Sequence, residues 1–118
     1  MRVRRKEDSR QTPVSLTKGK GYEVIGIEAD DYRIVNDDGE PVLYSPRLFH
    51  VVDRSRPKDW VKAHGEGGEL YAYPPETGAA GFFEDWHDGV ASARRVFTRF
   101  LRKRRLKVPE QKRPSRPT

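Results

Sequence analysis

Residues 22–52 read YEVIGIEADDYRIVNDDGEPVLYSPRLFHVV, and this stretch decides the fold of the chain. Short runs rich in β-branched and aromatic residues are separated by acidic turns at residues 29–31 and 36–39. The pair Asp38-Gly39 in the second turn tolerates the positive φ angles that tight hairpins require. The pattern is typical of a small antiparallel sheet that bends strongly over a short length of chain.

Four strands are predicted in this region, over residues 22–27, 32–35, 41–44 and 50–53, with a 3₁₀ turn at residues 45–49. Three or more strands that share an apolar face can be stable on their own, which a single hairpin is not. The segment 14–53 is therefore predicted to form a small β-barrel.

The first strand contains Gly26, and a glycine inside a strand often marks a bulge or a sharp bend. Regular alternation would place Tyr22 and Val24 on one face of this strand and Ile25 and Ile27 on the other.

A family resemblance is clearest at the end of the stretch. Pro46-Arg47-Leu48-Phe49 has the proline-to-aromatic spacing with which signalling SH3 domains pass through a 3₁₀ turn into their last strand. The stretch as a whole also resembles small uncharacterised bacterial proteins of SH3-like type. The resemblance implies an SH3-like barrel fold. The Ala-Leu-Tyr-Asp-Tyr motif and the Trp-Trp pair of the signalling domains have no counterpart in this sequence.

The rest of the chain divides into three parts. Residues 1–13 are predicted to be a flexible basic arm, and residues 107–118 a disordered basic tail. Residues 54–106 are predicted to form an irregular aromatic extension, with a helical turn at 59–61 and a short extended segment at 70–73, followed by a C-terminal helix. The helix has its apolar side chains at spacings of three and four, which is typical of an amphipathic helix packed on a body. This face comprises Val90, Ala93, Phe97, Phe100, Leu101 and Arg104. Asp88 is predicted to cap the start of this helix. The fold class is mainly β with a C-terminal helix.

Charge is distributed unevenly along the chain, although its formal net charge is only +6. Residues 12–93 carry eight basic and 15 acidic side chains, whereas residues 94–118 carry 11 basic and one acidic side chain. Attraction to nucleic acid or to an anionic membrane would therefore come from the ends of the chain.

Exposed aromatic side chains of the barrel are the first candidate site. Flat rings suit extended or polyproline ligands, and the residues concerned are Tyr32, Tyr44, Phe49 and Trp60. The alternative is that these rings fill the core, since aromatic residues in a small sheet usually pack across strands. A further possibility is that the chain's own Tyr73-Pro74-Pro75 segment covers this surface.

The basic helix and tail are the second candidate site. Contacts with a phosphate backbone would be made by Arg95, Arg99, Arg102, Lys103, Arg104 and Arg105. Adsorption to an anionic membrane is an alternative. In a third interpretation the helix is simply docked on the barrel, and its arginines are solvated or paired with the acidic body.

Catalytic and metal-binding motifs are not evident in the sequence. The group Glu84, Asp85, His87 and Asp88 lacks the spacing of a zinc or calcium site, and the absence of cysteine excludes thiolate chemistry. We therefore expect neither a metal site nor a cofactor, and a binding module rather than an enzyme. Protein–protein interaction is the first expectation and nucleic-acid association the alternative. No apolar run reaches the roughly 20 residues that span a bilayer, and the basic N-terminus precedes no apolar segment, so a cytoplasmic location is expected.

Overall fold

The computed structural model describes residues 1–7 and 15–106. Part of the predicted basic arm and the whole of the predicted basic tail lie outside these residues. The strands are β1 Arg2–Arg5, β2 Gly21–Glu28, β3 Asp31–Val35, β4 Pro41–Tyr44, β5 Phe49–Asp53, β6 Val61–His64 and β7 Leu70–Tyr73. A 3₁₀ turn covers Pro46–Leu48, and the helices are α1 Phe82–His87 and α2 Ala91–Lys103.

The strands form one antiparallel sheet, in which five of them follow the order β4-β3-β2-β1-β5. β2 also pairs with β7, and β7 pairs with β6 along its whole length. Within the described part of the chain β4 and β5 do not pair, so the sheet is open rather than closed into a barrel. The prediction of a mainly β fold with a C-terminal helix is confirmed, as are the strands and the 3₁₀ turn predicted over residues 22–53.

A bulge in β2 changes which face each side chain occupies. The pairing of β2 with β3 shifts between Val24 and Gly26, which leaves Ile25 as the extra residue. As a result Val24 and Ile27, three positions apart, both face the inner core, while Ile25 faces the other side of the sheet. The prediction that Ile27 would share a face with Ile25 is wrong, because strict alternation does not hold across a bulge.

β1 occupies a central position that the sequence did not predict. The prediction of a flexible arm over residues 1–13 is wrong for residues 2–5, which pair with β2 on one side and with β5 on the other. Val3 is fully buried in the inner core. The backbone N–H of Arg5 also donates to the carbonyl of Lys20 at 2.9 Å. Strand formation here follows from the two neighbouring strands, which satisfy the backbone groups on both edges of β1.

The loop over residues 15–20 is held to the β3–β4 turn by the carboxylate of Asp37. That carboxylate accepts hydrogen bonds from the Thr17 hydroxyl, from Lys20 Nζ and from the Tyr22 hydroxyl, at 2.7–2.9 Å. Burial acts to raise the pKa of Asp37, but the three donors outweigh it and lower the pKa below its usual value. Burial and the adjacent Asp37 raise the pKa of Tyr22 to about 12.

The two helices cover the outer face of the sheet and form a second core. α2 contributes Phe97 and Phe100, which pack with Phe83 of α1 and with Ile25 and Val35 of the sheet. Phe83 and Phe97 meet edge to face, with ring centroids 5.9 Å apart. The predicted docking of the C-terminal helix through its aromatic face agrees with this packing. None of the described helices is long and apolar enough to cross a membrane.

The capping of the C-terminal helix differs from the prediction. Gly89, at φ +78°, separates α1 from α2, so the region contains two helices. Asp88 ends α1 by donating its backbone N–H to the carbonyl of Glu84, and it does not cap the start of α2. The residue before α2 is Val90, whose side chain makes no capping hydrogen bond. The extended segment predicted at residues 70–73 is confirmed as β7. The turn predicted at 59–61 lies slightly earlier: the backbone N–H of Trp60 donates to the carbonyl of Pro57 at 3.2 Å, and residues 61–64 form β6.

Arg104 joins the end of α2 to two distant parts of the chain. Its guanidinium donates to both oxygens of the Glu76 carboxylate, at 2.8 Å from Nε and 2.7 Å from Nη2, and to the carboxylate of Asp59. These hydrogen bonds lower the pKa of Glu76 and the pKa of Asp59. The contact therefore fixes the turn after β7 and the segment before β6 to the helix.

We expect Arg104→Gln to lower the melting temperature at pH 7 and to lower it progressively less as the pH falls below about 4. A carboxylate whose pKa is depressed in the folded state stabilises the fold above its unfolded pKa, about 4, and this contribution is lost as the pH falls through the folded value. Thermal denaturation of the native chain and the variant from pH 3 to pH 8 measures the difference. A difference that stays constant over this range would show that the carboxylates do not mediate the effect of Arg104.

Candidate binding surfaces

Three of the four predicted partner-binding aromatic residues are core residues. Tyr44, Phe49 and Trp60 are buried in the inner core, and only Tyr32 is partly exposed. The ring of Phe49 lies 6.1 Å from that of Tyr32 and 6.5 Å from that of Tyr44, as expected for packing across strands. The prediction that these residues form an exposed aromatic surface is wrong for all but Tyr32. Tyr32 lines a concavity of about 410 Å³ together with Asp30 and Pro46.

A groove of about 550 Å³ lies elsewhere, between the β6–β7 hairpin and the segment that leads into α1. Tyr71 and Tyr73 of β7 form one wall with Val61 and Ala63, which lie opposite them on β6. The other wall is the turn-rich segment Pro74, Pro75, Thr77, Gly78, Ala79, Ala80, Gly81 and Phe82. The groove is mainly apolar and of the size that ligand-binding clefts usually have.

Gly26 allows the Tyr73 ring to take its place in this wall. A Cβ at Gly26 would lie well inside van der Waals contact with Cδ1 and Cε1 of Tyr73. The ring also packs against Phe83, with centroids 5.5 Å apart. Tyr73 therefore lies on the outer face of the sheet, and the prediction that the Tyr73-Pro74-Pro75 segment covers the barrel aromatics is wrong.

The floor of the groove contains a polar network around Arg33. Its Nη1 donates to the carbonyl of Pro41 at 3.1 Å, its Nε to the Tyr73 hydroxyl at 3.2 Å and its Nη2 to Glu28 at 3.3 Å. The guanidinium also stacks on the Phe83 ring, 4.2 Å from its centroid. Burial raises the pKa of Tyr73 above its usual value, and this phenol donates to Glu28 at 2.9 Å. Within this network Arg33 is buried and paired, whereas Glu28 is partly exposed.

Two polar groups at the groove have bonding capacity left. Both hydrogen bonds to Glu28 reach its Oε1, so Oε2 accepts none from the described residues. The side chain of Thr77 is buried, and its hydroxyl has no hydrogen-bond partner in the described part of the chain. Buried hydroxyl groups are rarely left unpaired, so the Thr77 hydroxyl is an exception among the described residues.

β6 forms an open edge of the sheet beside this groove. Its four residues are exposed, Val61 to 65%, and β6 pairs only with β7 among the described strands. An edge strand presents unpaired backbone N–H and C=O groups, to which an extended chain can add.

The predicted nucleic-acid-binding residues divide into two groups. Arg95, Arg99, Arg102, Lys103 and Arg105 are exposed. Arg104 is not available to a partner, because Glu76 and Asp59 already hold it. The prediction that Arg104 contacts nucleic acid is therefore wrong, because a tertiary ion pair occupies its guanidinium. Arg94 is also occupied: it stacks on Trp86 and donates from Nε to the Trp86 carbonyl at 3.0 Å.

Within residues 1–7 and 15–106, no group of three or more histidine, aspartate or glutamate side chains is arranged to hold a metal ion. His87 instead lies 2.9 Å from the carbonyl of Pro41 through its Nε2. Comparison with protein-family models, with curated proteins and with solved structures found no significant match for this chain.

Sequence reasoning missed the groove, although part of its signal was present. Proline and glycine residues between 74 and 81 indicated a loop, and the alternation of Tyr71 and Tyr73 placed both rings on one face of β7. The missing information was the position of this hairpin over Gly26, which depends on the pairing of β7 with β2.

Proposed function

We propose that this chain is a small protein-binding module that holds an extended segment of a partner in the groove between β6–β7 and the segment leading into α1. The partner segment carries alternating apolar side chains and one basic side chain. The observation that carries the proposal is the combination of an apolar groove of about 550 Å³ with an open edge strand along one of its walls.

The shape of the groove favours an extended peptide over a compact ligand. Val61 and Ala63 lie two residues apart on β6 and face the groove, so the strand side of the groove has the two-residue period of a β-strand. A partner strand added to β6 would place every second side chain into the groove and satisfy the backbone groups of the edge. Its alternating apolar residues would then meet Tyr71 and Tyr73.

Charge at the groove favours a basic side chain in the partner. Glu28 has an oxygen that accepts no hydrogen bond from the described residues, and Glu84 is exposed at the other wall. Arg33, the basic side chain in the lining, is already paired with Glu28. An arginine or lysine in the partner would therefore meet net negative charge, whereas an acidic side chain would be repelled.

An SH3-like origin of the sheet is part of the same proposal. The strand order β4-β3-β2-β1-β5, the strongly bulged β2 and the 3₁₀ turn that leads into β5 all support this interpretation. In this view β1 to β5 form the SH3-like unit. The β6–β7 hairpin and the two helices are additions that create a binding surface outside the barrel aromatics.

Peptide selection tests the proposed function. We expect ten-residue peptides selected from a displayed random library against the full chain to contain apolar residues at alternate positions and one arginine or lysine. The substitution Ala63→Trp fills the groove from an exposed position and should lower the affinity of the selected peptides at least about tenfold. Fluorescence anisotropy with labelled peptides measures this loss.

Lys62→Trp is the matched control, because Lys62 is exposed on the same strand and its side chain alternates to the other face. It should leave the affinity within about twofold of the native chain. Equal losses in both variants would contradict binding in the groove. Selected peptides that share acidic rather than basic residues would contradict the proposed partner chemistry, and self-association of the chain that Ala63→Trp abolishes would identify a second copy as the occupant.

A further inference from the structure

We infer that the solvent face of α2 is a separate binding site for the phosphate backbone of nucleic acid. The site consists of Arg95, Arg99 and Arg102 around Thr98, and we call it the arginine face. None of these residues lines the groove described above. The inference therefore stands on its own observations and goes beyond the proposed peptide binding.

The positive charge of the arginine face is not neutralised by acidic side chains of the described residues. Asp59 and Glu76 are engaged by Arg104, and the guanidiniums of Arg95, Arg99 and Arg102 make no ion pair with any described residue. Residues 89–109 contain no acidic side chain at all. The alternative in which the acidic body neutralises the helix therefore applies to Arg104, and the three arginines keep their charge available to a partner.

These arginines also share a concave surface. Together with Arg94 and Thr98 they line a shallow depression of about 370 Å³ on α2. Spacings of four and three residues place Arg95, Arg99 and Arg102 on one side of the helix, over about 10 Å of its axis. A DNA duplex presents about six phosphates over such a length, so three guanidiniums can each meet a phosphate oxygen.

The packing of α2 favours nucleic acid over a membrane surface. An interfacial helix inserts its apolar face into the lipid, but Phe97 and Phe100 of α2 are buried against the sheet and α1. What remains exposed is a charged face on a rigidly docked helix. Such a face recognises a regular array of phosphates and reads no base sequence.

The charge-removing variant Arg95→Gln/Arg99→Gln/Arg102→Gln tests the inference, since glutamine keeps helix propensity close to that of arginine. The probe is a 20-base-pair DNA duplex of random sequence, titrated between 50 and 300 mM NaCl with fluorescence anisotropy. We expect the native chain to bind at 50 mM NaCl and the variant to bind at least about tenfold more weakly. The slope of log K against log salt should become shallower by about 2–3, because each phosphate contact contributes about 0.9.

Arg4→Gln/Lys18→Gln/Arg47→Gln is the matched control, since it removes the same charge from exposed positions elsewhere. The inference requires that this control keep most of the affinity and the full salt slope. It is overturned if the native chain fails to bind at 50 mM NaCl, or if both triple variants lose affinity equally. It is also overturned if Lys112→Gln/Arg113→Gln/Arg116→Gln abolishes binding while the arginine-face variant binds as the native chain does.

Discussion

Replacing Gly26 with alanine is expected to lower the free energy of unfolding by about 2–3 kcal/mol, although it adds a single methyl group. The new Cβ would overlap two ring carbons of Tyr73. The ring is held in place, because it packs against Phe83 and its hydroxyl is bonded to Glu28 and Arg33. Urea denaturation of the native chain and the variant measures the loss.

Gly21→Ala provides the matched control on the same strand. The atom nearest to a Cβ at Gly21 is the carbonyl oxygen of Val3, at 3.8 Å, which is an ordinary contact. We expect this substitution to change the free energy of unfolding by less than about 0.5 kcal/mol. A double-mutant cycle with Tyr73→Ala separates the cause: Gly26→Ala should cost much less once the ring is absent. Equal costs in both backgrounds would mean that strain in the β2 bulge, and not the Tyr73 contact, explains the loss.

The strands between residues 21 and 53 could be predicted because each carries its own local signal. The acidic turn before Gly39 and the proline at the start of β4 define a hairpin without any distant contact. The face of Ile27 could not be predicted, because the bulge that turns it inward is produced by the pairing of β2 with β3.

β1 had no comparable local signal. Its four residues are Arg2, Val3, Arg4 and Arg5, of which only Val3 is apolar, so neither hydrophobicity nor β-propensity indicated a strand. The strand exists because β2 and β5 supply partners for both of its edges. Its position is therefore a property of the assembled sheet.

In the candidate sites too, features with a local sequence signal could be predicted and features that depend on distant contacts could not. The exposure of Arg95, Arg99 and Arg102 followed from helical periodicity, which assigns the apolar positions of α2 to the core. Periodicity could not identify Arg104 as the residue that binds Asp59 and Glu76, because those carboxylates come from distant parts of the chain. The sequence pattern of the aromatic residues also does not predict which of them are exposed. Tyr44, Phe49 and Trp60 are buried in the inner core.

Replacing Arg33 with methionine is expected to lower the free energy of unfolding by about 3 kcal/mol. Methionine replaces the apolar stem of the side chain, but it is shorter and lacks the guanidinium that stacks on Phe83. It removes the three hydrogen bonds that Arg33 donates to the Pro41 carbonyl, the Tyr73 hydroxyl and the Glu28 carboxylate, and it leaves Glu28 without its cationic partner. Since Glu28 is partly exposed, the penalty stays at the lower end of the range for a broken buried ion pair. Arg33→Lys should recover little of the free energy of unfolding that Arg33→Met loses, because one ammonium group cannot reach acceptors in three directions.

Arg2→Met is the matched control, since Arg2 forms an ion pair of nearly the same length. The distances are 3.2 Å for Arg2–Glu23 and 3.3 Å for Arg33–Glu28, but the arginine side chains are 48% and 8% exposed. We expect the control to cost less than about 1 kcal/mol, because solvent screens the exposed pair. The combination Arg33→Met/Glu28→Gln should recover part of the loss, because it removes the unpaired charge. If Arg33→Met lowers the free energy of unfolding no more than Arg2→Met does, the polar network under the groove stabilises the fold through packing alone. In that case Arg33 does not position Glu28 beside a bound partner.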